Sequence, residues 1–289
     1  MQTTCDKVSA SQHVASPEKI KGMSSPVLPL PAPAPPPALV ERLRKARRIV
    51  VLTGAGMSAE SGIATFRDKA EGGLWSQFDP LALATREAFE RDPDTVWAWY
   101  EWRRQRVARA IPNAGHMALT ALAARPQLQS FSIVTQNVDD LHERAGAKTV
   151  LHLHGSLFAP RCFSCGRAFT GLAARSKAGA DVSTIRLAPP RCTHCDGPIR
   201  PGVVWFGESL PETVWLEALR QVEAGDLLLV VGTSGLVYPA ASLPEAARRQ
   251  GCDVAVLNSD ASTLSSRNGL DWQVSAAVGL PALVRALDH

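Results

Sequence analysis

The 289-residue sequence predicts an α/β fold: a Rossmann-like parallel sheet domain with a smaller inserted domain. Three observations predict it. Apolar runs of strand length recur between stretches of helical periodicity, the pattern of a parallel sheet covered on both faces. The first run, Ile49 to Leu52, leads into Gly54-Ala55-Gly56-Met57-Ser58-Ala59. This Gly-x-Gly-x-x-Ala turn is how such a sheet brings backbone N–H groups against a pyrophosphate. Two Cys-x-x-Cys knuckles then interrupt the alternation, which marks an excursion from the sheet.

In chain order, residues 1–37 read as a disordered leader. Proline dominates Pro26 to Pro37 and favours extended polyproline geometry, a spacer or else a docking site for a proline-binding module. Leu39 to Arg47 reads as a helix and Arg48 to Leu52 as the first strand. Phe131 to Thr135, Asp226 to Val231 and Asp253 to Leu257 are further strands. Residues 72–112 are helical and aromatic-rich, and residues 159–200 are rich in Cys, Arg and Pro. The large domain is therefore expected over about 38–71, 113–158 and 201–289. The helical and cysteine modules together form the smaller one.

Composition narrows the function classes. A hydrophobic fraction of 45% suits a globular chain with a sizeable core. A formal charge of +4, without basic residues clustered beside aromatics, gives no reason to expect specific nucleic-acid binding. No run has the length of a membrane span or the form of a signal peptide, so a cytoplasmic protein is expected.

Cys162-x-x-Cys165 and Cys192-x-x-Cys195 stand 26 residues apart. Four thiolates so arranged close tetrahedrally around one Zn2+ and leave no open position, which makes the metal structural. Two disulfides or an iron–sulfur cluster are the alternatives, and a reducing compartment weighs against the first. His194, inside the second knuckle, is either a competing ligand or, as is commoner, a solvated loop residue. Cys5 and Cys252 have no paired partner in sequence.

Several polar residues sit where strands end. Gln136, Asn137 and Asp139 follow Phe131 to Thr135, at the carboxyl edge where ligands of open parallel sheets lie. Turn chemistry alone would also favour Asn and Asp there. His154 suits a general base, because imidazole titrates near neutrality. Its setting, Leu151-His152-Leu153-His154-Gly155-Ser156, reads as a strand running into a turn. Alternation puts His152 and His154 on one side, so spacing does not choose between them. Tyr100 and Arg103 share a helix face, where a phenol beside a guanidinium can hold a carboxylate or simply face solvent.

The glycine turn continues through Ser61-Gly62-Ile63-Ala64-Thr65-Phe66-Arg67-Asp68. Downstream follow Thr135-Gln136-Asn137-Val138-Asp139, His154-Gly155-Ser156, Val203-Val204-Trp205-Phe206-Gly207-Glu208 and Gly232-Thr233-Ser234. In this order and spacing, over roughly residues 38 to 289, the sequence resembles the sirtuins, the NAD-dependent protein deacylases. The resemblance implies that Gly54, Ala55, Gly56, Ser58, Glu60, Phe66 and Arg67 bind NAD. It implies that Gln136 orients the ribose, that Asn137 and Asp139 form the nicotinamide pocket, and that Gly232, Thr233 and Ser234 meet phosphate and ribose. Asn258 matches the adenosine side. It also assigns the base to His154 rather than His152.

The implied reaction begins when the acyl-lysine carbonyl oxygen attacks the ribose carbon as nicotinamide leaves. His154 then activates a ribose hydroxyl, and the products are free lysine and O-acyl-ADP-ribose. Val203, Val204, Phe206, Gly207 and Glu208 match the strand that pairs with the substrate backbone, which tolerates many protein sequences. Tyr100 and Arg103, with Ala84 enlarging the acyl pocket, match the desuccinylase and demalonylase subclass, with acetyl removal retained. A monomer is expected. A mono-ADP-ribosyltransferase is the alternative. A dehydrogenase is disfavoured, because no acidic residue ends a second strand about 20 residues beyond the turn.

Overall fold

In a computed structural model, the chain is described over residues 33–63, 79–171, 186–260, 262–265 and 269–289. Helix α1 (Pro37–Lys45) opens with proline in its first turn, where the missing N–H is not needed. Strand β1 (Arg48–Thr53) follows and ends at the glycine turn, which carries the single turn α2 (Gly56–Ala59). Then come α3 (Pro80–Leu83), α4 (Arg86–Arg91) and α5 (Pro93–Arg109), the helical module. Thr85 caps α4 by accepting from the Ala88 amide, and Asp92 caps α5 by accepting from Thr95.

The chain returns to the sheet through α6 (Ala114–Ala123), β2 (Ser130–Thr135), α7 (Leu141–Arg144) and β3 (Val150–His152). Strands β4 (Gly155–Cys162) and β5 (Ile199–Val203) pair antiparallel as a separate two-stranded sheet beside the cysteine knuckles. Helix α8 (Glu212–Ala224), β6 (Leu227–Val231), α9 (Leu243–Arg249), β7 (Asp253–Asn258), β8 (Trp272–Gln273) and α10 (Ala276–Leu287) complete the fold.

The large sheet runs β3-β2-β1-β6-β7-β8, with every pairing parallel. Its strands are apolar on both faces, as burial between two helical layers demands. Ile49 and Val51 of β1 face Leu39 and Leu43 of α1, Leu119 of α6 and Leu283 of α10. Val50 and Leu52 face the other way, against Ala218 and Val222 of α8 and Leu243 and Ala247 of α9. Strands β6 and β7 divide their side chains in the same manner. Strand order reverses between β1 and β6, and a crevice at the carboxyl ends of those two strands is where such sheets bind ligands.

The strand runs into a turn as expected, but the alternation read across it is corrected, because residues 153–154 form the turn itself. Strand β3 stops at His152, and β4 begins at Gly155 in the other sheet. Gly155 has φ +72, and a Cβ there would lie 2.2 Å from the Gly202 carbonyl oxygen. Glycine is therefore required where the chain changes sheets, and the turn places His154 outside the strand alternation that was expected to pair it with His152.

Candidate active site

Two loops meet at the crevice between β1 and β6. The Gly56 amide donates to the Gly232 carbonyl at 2.8 Å, and the Gly54 amide donates to Val231. A Cβ on Gly56 would fall 2.8 Å from the Gly232 Cα, so only glycine allows this approach. The Met57 and Ser58 amides bond to Gly54 and Ala55. Four amides of the turn are thus spent within the protein, and the turn's glycines serve the packing of one loop on the other. Across the crevice, Gln136 Nε2 donates to Thr233 Oγ1 at 3.0 Å. Ser234 is half-buried and its carbonyl accepts from Thr263, while half-buried Asn258 ends β7.

Glu60 points elsewhere. Its carboxylate accepts from Ser275 Oγ and from the Ala277 amide, each at 2.9 Å, at the start of α10. There it satisfies an amide of the helix terminus and meets the positive end of the dipole. The structure gives Glu60 this capping role. Phe66 and Arg67 lie outside the described residues.

Ser58, Asn137 and Asp139 form one buried group. Asn137 Nδ2 donates to Ser58 Oγ at 3.1 Å, and Ser58 Oγ donates to Asp139 Oδ2 at 3.0 Å. Asp139 Oδ1 accepts from the Leu141 amide. Burial raises the Asp139 pKa, against the opposing pull of the Leu141 amide and the Ser58 hydroxyl.

The two histidines separate cleanly. His152 faces two acceptors, the Asn137 carbonyl at 3.1 Å from Nδ1 and Glu143 Oε1 at 2.6 Å from Nε2. Both nitrogens must donate, which makes the ring an imidazolium. Its pKa is raised although burial opposes the charge, because the Glu143 carboxylate favours it more. His154 has one acceptor partner, the Gln136 carbonyl at 3.0 Å from Nδ1. Nδ1 therefore carries the proton and Nε2 the lone pair, and Nε2 has no partner among the described residues. Burial lowers the His154 pKa, only partly offset by the Gln136 carbonyl. A neutral imidazole with an available lone pair can take a proton; an imidazolium locked to a carboxylate cannot.

On the side of the helical module, Ala84, Tyr100, Val203 and Trp205 belong to one apolar cluster with Phe89 and Leu157. Trp205 Nε1 donates to Tyr100 Oη at 3.1 Å, so the phenol's own proton is directed to another acceptor. Burial pushes the Tyr100 pKa up to about 12, which keeps that proton in place. The Arg103 guanidinium lies over the Trp99 ring, 4.9 Å from its centroid, and 5.9 Å from that of Tyr100.

The segment from Val203 to Glu208 is pinned at several amides. Val204 donates to the His154 carbonyl at 2.8 Å, Phe206 to Ala84 at 2.9 Å, and Glu208 to Trp205 at 3.0 Å. The Trp205 amide donates to Glu208 Oε2. Gly207 has φ +83 at the turn, and Phe206 is 47% exposed. The four bonded amides are not donors for an incoming strand.

The four cysteine sulfurs lie within 4.8 Å of one another, and none of these cysteines is in a disulfide. Cys162 and Cys195 Sγ are 3.5 Å apart, and Cys165 and Cys192 Sγ 3.8 Å. A disulfide would need about 2.05 Å. A tetrahedron with Zn–S bonds of about 2.3 Å has edges of about 3.8 Å, so the donor set fits zinc.

Comparison with known proteins gives the chain a family. Residues 54–239 match the family model described as "Sir2 family". The chain belongs to the Sir2 family. It is 47% identical over 248 residues to a Corynebacterium glutamicum "NAD-dependent protein deacylase", covering 86% of this chain and 94% of that protein. It is 54% identical over 221 residues to "NAD-dependent protein deacylase 1" of Pseudomonas aeruginosa, covering 76% and 86%. Among solved structures, a Sir2 homologue in complex with NAD superposes with a TM-score of 0.75 at 41% identity, over 87% of this chain and 93% of that one. A Sir2 homologue mutant in complex with 2′-O-acetyl ADP ribose gives 0.76 at 40% identity, over 87% and 96%.

In this Sir2 protein, one residue that sequence reasoning passed over organises the pinned segment. Arg200 is 4% exposed and grips Glu208 through two bonds of 2.5 and 2.9 Å, donates to the Val203 carbonyl, and stacks 3.5 Å from the Trp205 ring centroid. Burial works against the Glu208 charge, yet the Arg200 fork holds its pKa below the usual carboxylate value. A lone arginine in Ile199-Arg200-Pro201-Gly202 carries no signal of this in sequence. A cleft of about 500 Å³ bounded by Arg42, Arg48 and Asp226 lies at the opposite, amino ends of the strands, where paired surface charges line it. Among the described residues, no helix is long and apolar enough to cross a membrane.

Proposed function

We propose that this protein is an NAD-dependent protein-lysine deacylase. It removes acetyl groups, and succinyl or malonyl groups as well, giving nicotinamide, O-acyl-ADP-ribose and free lysine. The observation that carries the reading is the state of His154, a neutral imidazole whose Nε2 lone pair faces away from the Gln136 carbonyl, on the residue whose side chain reaches Thr233 at the crevice beyond β1 and β6. The relatives' names, "NAD-dependent protein deacylase", support the coarser part of it.

In this reading Nε2 of His154 takes the proton of a ribose hydroxyl. Gly54, Ala55, Gly56 and Ser58 line one side of the NAD crevice, and Gly232, Thr233, Ser234 and Asn258 line the other. Phe66 and Arg67 approach the reactive ribose. Gln136 meets the ribose, and Asn137 with Asp139 meets the carboxamide of nicotinamide. The raised Asp139 pKa supports a carboxyl able to share a proton with an amide partner. Acyl-lysine proteins pair through backbone with the Val203 to Glu208 segment, using groups other than its four committed amides. Cys162, Cys165, Cys192 and Cys195 hold one structural Zn2+, which stabilises a module over about 159–200 and performs no chemistry. With the helical module over about 72–112 it forms the smaller domain, and residues 1–37 act as a spacer. The protein works as a cytoplasmic monomer.

Preference for acidic acyl groups follows from Tyr100 and Arg103. The phenol already accepts from Trp205 and retains a proton to donate, and the guanidinium on the same helix face supplies charge. Ala84, a small residue, belongs to the same apolar cluster as Tyr100.

The test is turnover of one peptide carrying acetyl-, succinyl- or malonyl-lysine, with and without NAD, read by mass spectrometry. NAD-dependent loss of succinyl is expected. Loss of acetyl alone would keep the deacylase and remove the acidic-acyl pocket. Cleavage of NAD with ADP-ribose added to a protein target, and no loss of acyl mass, would replace the reading with ADP-ribosyl transfer.

A further inference from the structure

Behind the crevice lie two histidines that the reaction does not use. His116 and His142 are 1% and 2% exposed, and their ring centroids are 4.9 Å apart. His116 Nε2 and His142 Nδ1 are buried, and neither has a hydrogen-bond partner among the described residues. Two orphaned nitrogens on neighbouring rings are unusual, because buried polar groups nearly always find partners.

Their protonation states can be read from the partners each ring does have. The Asn113 amide donates to His116 Nδ1 at 3.3 Å, so in neutral His116 the proton sits on Nε2. Thr53 donates its hydroxyl proton to Thr135 Oγ1 at 2.8 Å, so it accepts from His142 Nε2 at 3.1 Å. His142 then carries its proton on Nε2 and leaves a lone pair on Nδ1. One orphan is a donor and the other is an acceptor. They are complementary.

We propose that His116 and His142 form a neutral positioning pair, His116 Nε2–H donating to His142 Nδ1 through one bridging water, that fixes the Thr135–Asn137 segment from behind. The chain of bonds ends on Thr135 Oγ1, which also accepts from the Asn137 amide at 3.0 Å. That segment presents the Gln136 backbone carbonyl to His154, the Gln136 side-chain amide to Thr233 and the Asn137 side-chain amide to Ser58. At its other end the pair meets Asn113, whose side chain donates to the Met57 carbonyl and to Ser61 Oγ, beside the glycine turn. The pair thereby ties the first crevice loop to the segment that aims the base. Its kinetic consequence rests on the proposed role of His154.

Two measurements test it, one independent of activity. In the full-length protein with 15N-labelled histidine, the side-chain spectrum should show both His116 and His142 as neutral Nε2–H tautomers. His142 Nδ1 should shift on His116→Phe as its donor is lost. Protonated Nδ1 on either ring, or no response of His142, overturns the pair whatever the enzyme does. The second compares His142→Phe with His142→Gln. Gln can still donate to Thr53 from its Nε2, whereas Phe only fills the space. If the pair were mere filling, Phe would serve at least as well as Gln, since an apolar ring suits a buried site. We expect Phe to lower kcat by about ten-fold, a misplacement effect, with the NAD dissociation constant within about two-fold, a change smaller than one lost hydrogen bond. Gln should restore most of the loss. Equal activity of the two variants overturns the proposal, whereas a wild-type protein without deacylation would instead overturn the proposed function.

Discussion

His154 donates from Nδ1 to the Gln136 carbonyl at 3.0 Å, and this single bond decides which nitrogen of the ring can act. Burial lowers the His154 pKa, so the ring stays neutral below the usual 6.5. The acid limb of the kcat/KM–pH profile should therefore have its midpoint below 6.5, because only protonated His154 is inactive. His154→Ala should lower kcat by about 10²- to 10⁴-fold, the span of general-base catalysis. A midpoint at or above 6.5 would point to a base other than this ring.

Arg103→Met tests the acyl pocket. A charge-assisted bond to a succinyl carboxylate contributes about 1.5–3 kcal/mol, so kcat/KM for succinyl-lysine should fall by about 10- to 150-fold. Acetyl-lysine has no carboxylate to lose and should change by less than about two-fold, within the ordinary range of a surface substitution. Parallel loss on both substrates, from steady-state rates on matched peptides, would mean that Arg103 supports the α5 helix through Trp99 rather than selecting the acyl group.

The parts of the fold written in local pattern were legible in the sequence. Val50 and Val51 are both apolar because β1 is buried on both faces, and the run announces this directly. Strand β8 is two residues long, too short for any periodicity to mark it. His152 and His154 could not be told apart because their difference lies in Gly155, which moves the chain from one sheet to the other. Glu60 was assigned through the family resemblance, and its contact with the start of α10 was not legible because its partner Ala277 is 217 residues away in sequence. Arg200 was invisible for a related reason, since a buried ion pair shows only when the fold brings Glu208 over it.

That ion pair should support the substrate-side segment. Removing one partner of a buried, hydrogen-bonded pair typically costs about 3–5 kcal/mol, because the other charge stays buried without compensation. Glu208→Ala should therefore lower the free energy of unfolding by about 3 kcal/mol, near the low end because Glu208 is partly solvated. It should also raise the KM for peptide, since Glu208 holds the Trp205 amide and, through Arg200, the Val203 carbonyl. Denaturant unfolding and peptide kinetics check the two effects separately. An unchanged unfolding midpoint would show the segment to be held by its backbone bonds alone.

The cysteine cluster should bind one zinc per chain, measurable by elemental analysis of the purified protein. Cys162 is 1% exposed and packs with Trp97 and Ile199, so the cysteine cluster and a small apolar cluster share residues. Removing the metal with a chelator should loosen β4 and β5 at the Cys162–Ile199 end, seen as faster amide exchange there, while the β1–β6 core stays protected. Loss of protection across both sheets at once would mean that the zinc module and the parallel sheet fold as one unit.

Acid should destabilise this fold through its buried histidines. Burial lowers the pKa of His116 to about 4, and burial together with the charge of His116 lowers that of His142 to about 3. Below pH 6.5 the unfolded chain binds two protons that the folded chain refuses, so stability falls as pH falls. The slope from these two rings approaches about 2.7 kcal/mol per pH unit between pH 6 and 4.5. His152 works with the opposite sign. Its pKa is raised, so its contribution is complete below 6.5 and is lost only as pH rises through the raised value. Glu143, lowered by His152 despite burial, adds stability above its unfolded value that disappears as pH falls through its folded one. Urea unfolding of wild type and His142→Phe at pH 7, 6 and 5 separates these contributions. The variant should lose about 1.4 kcal/mol per pH unit from the acid slope, the linkage of one proton. An unchanged slope would mean that His142 is protonated in the folded protein over this range, and with it the neutral tautomer on which its bond to Thr53 depends would be lost.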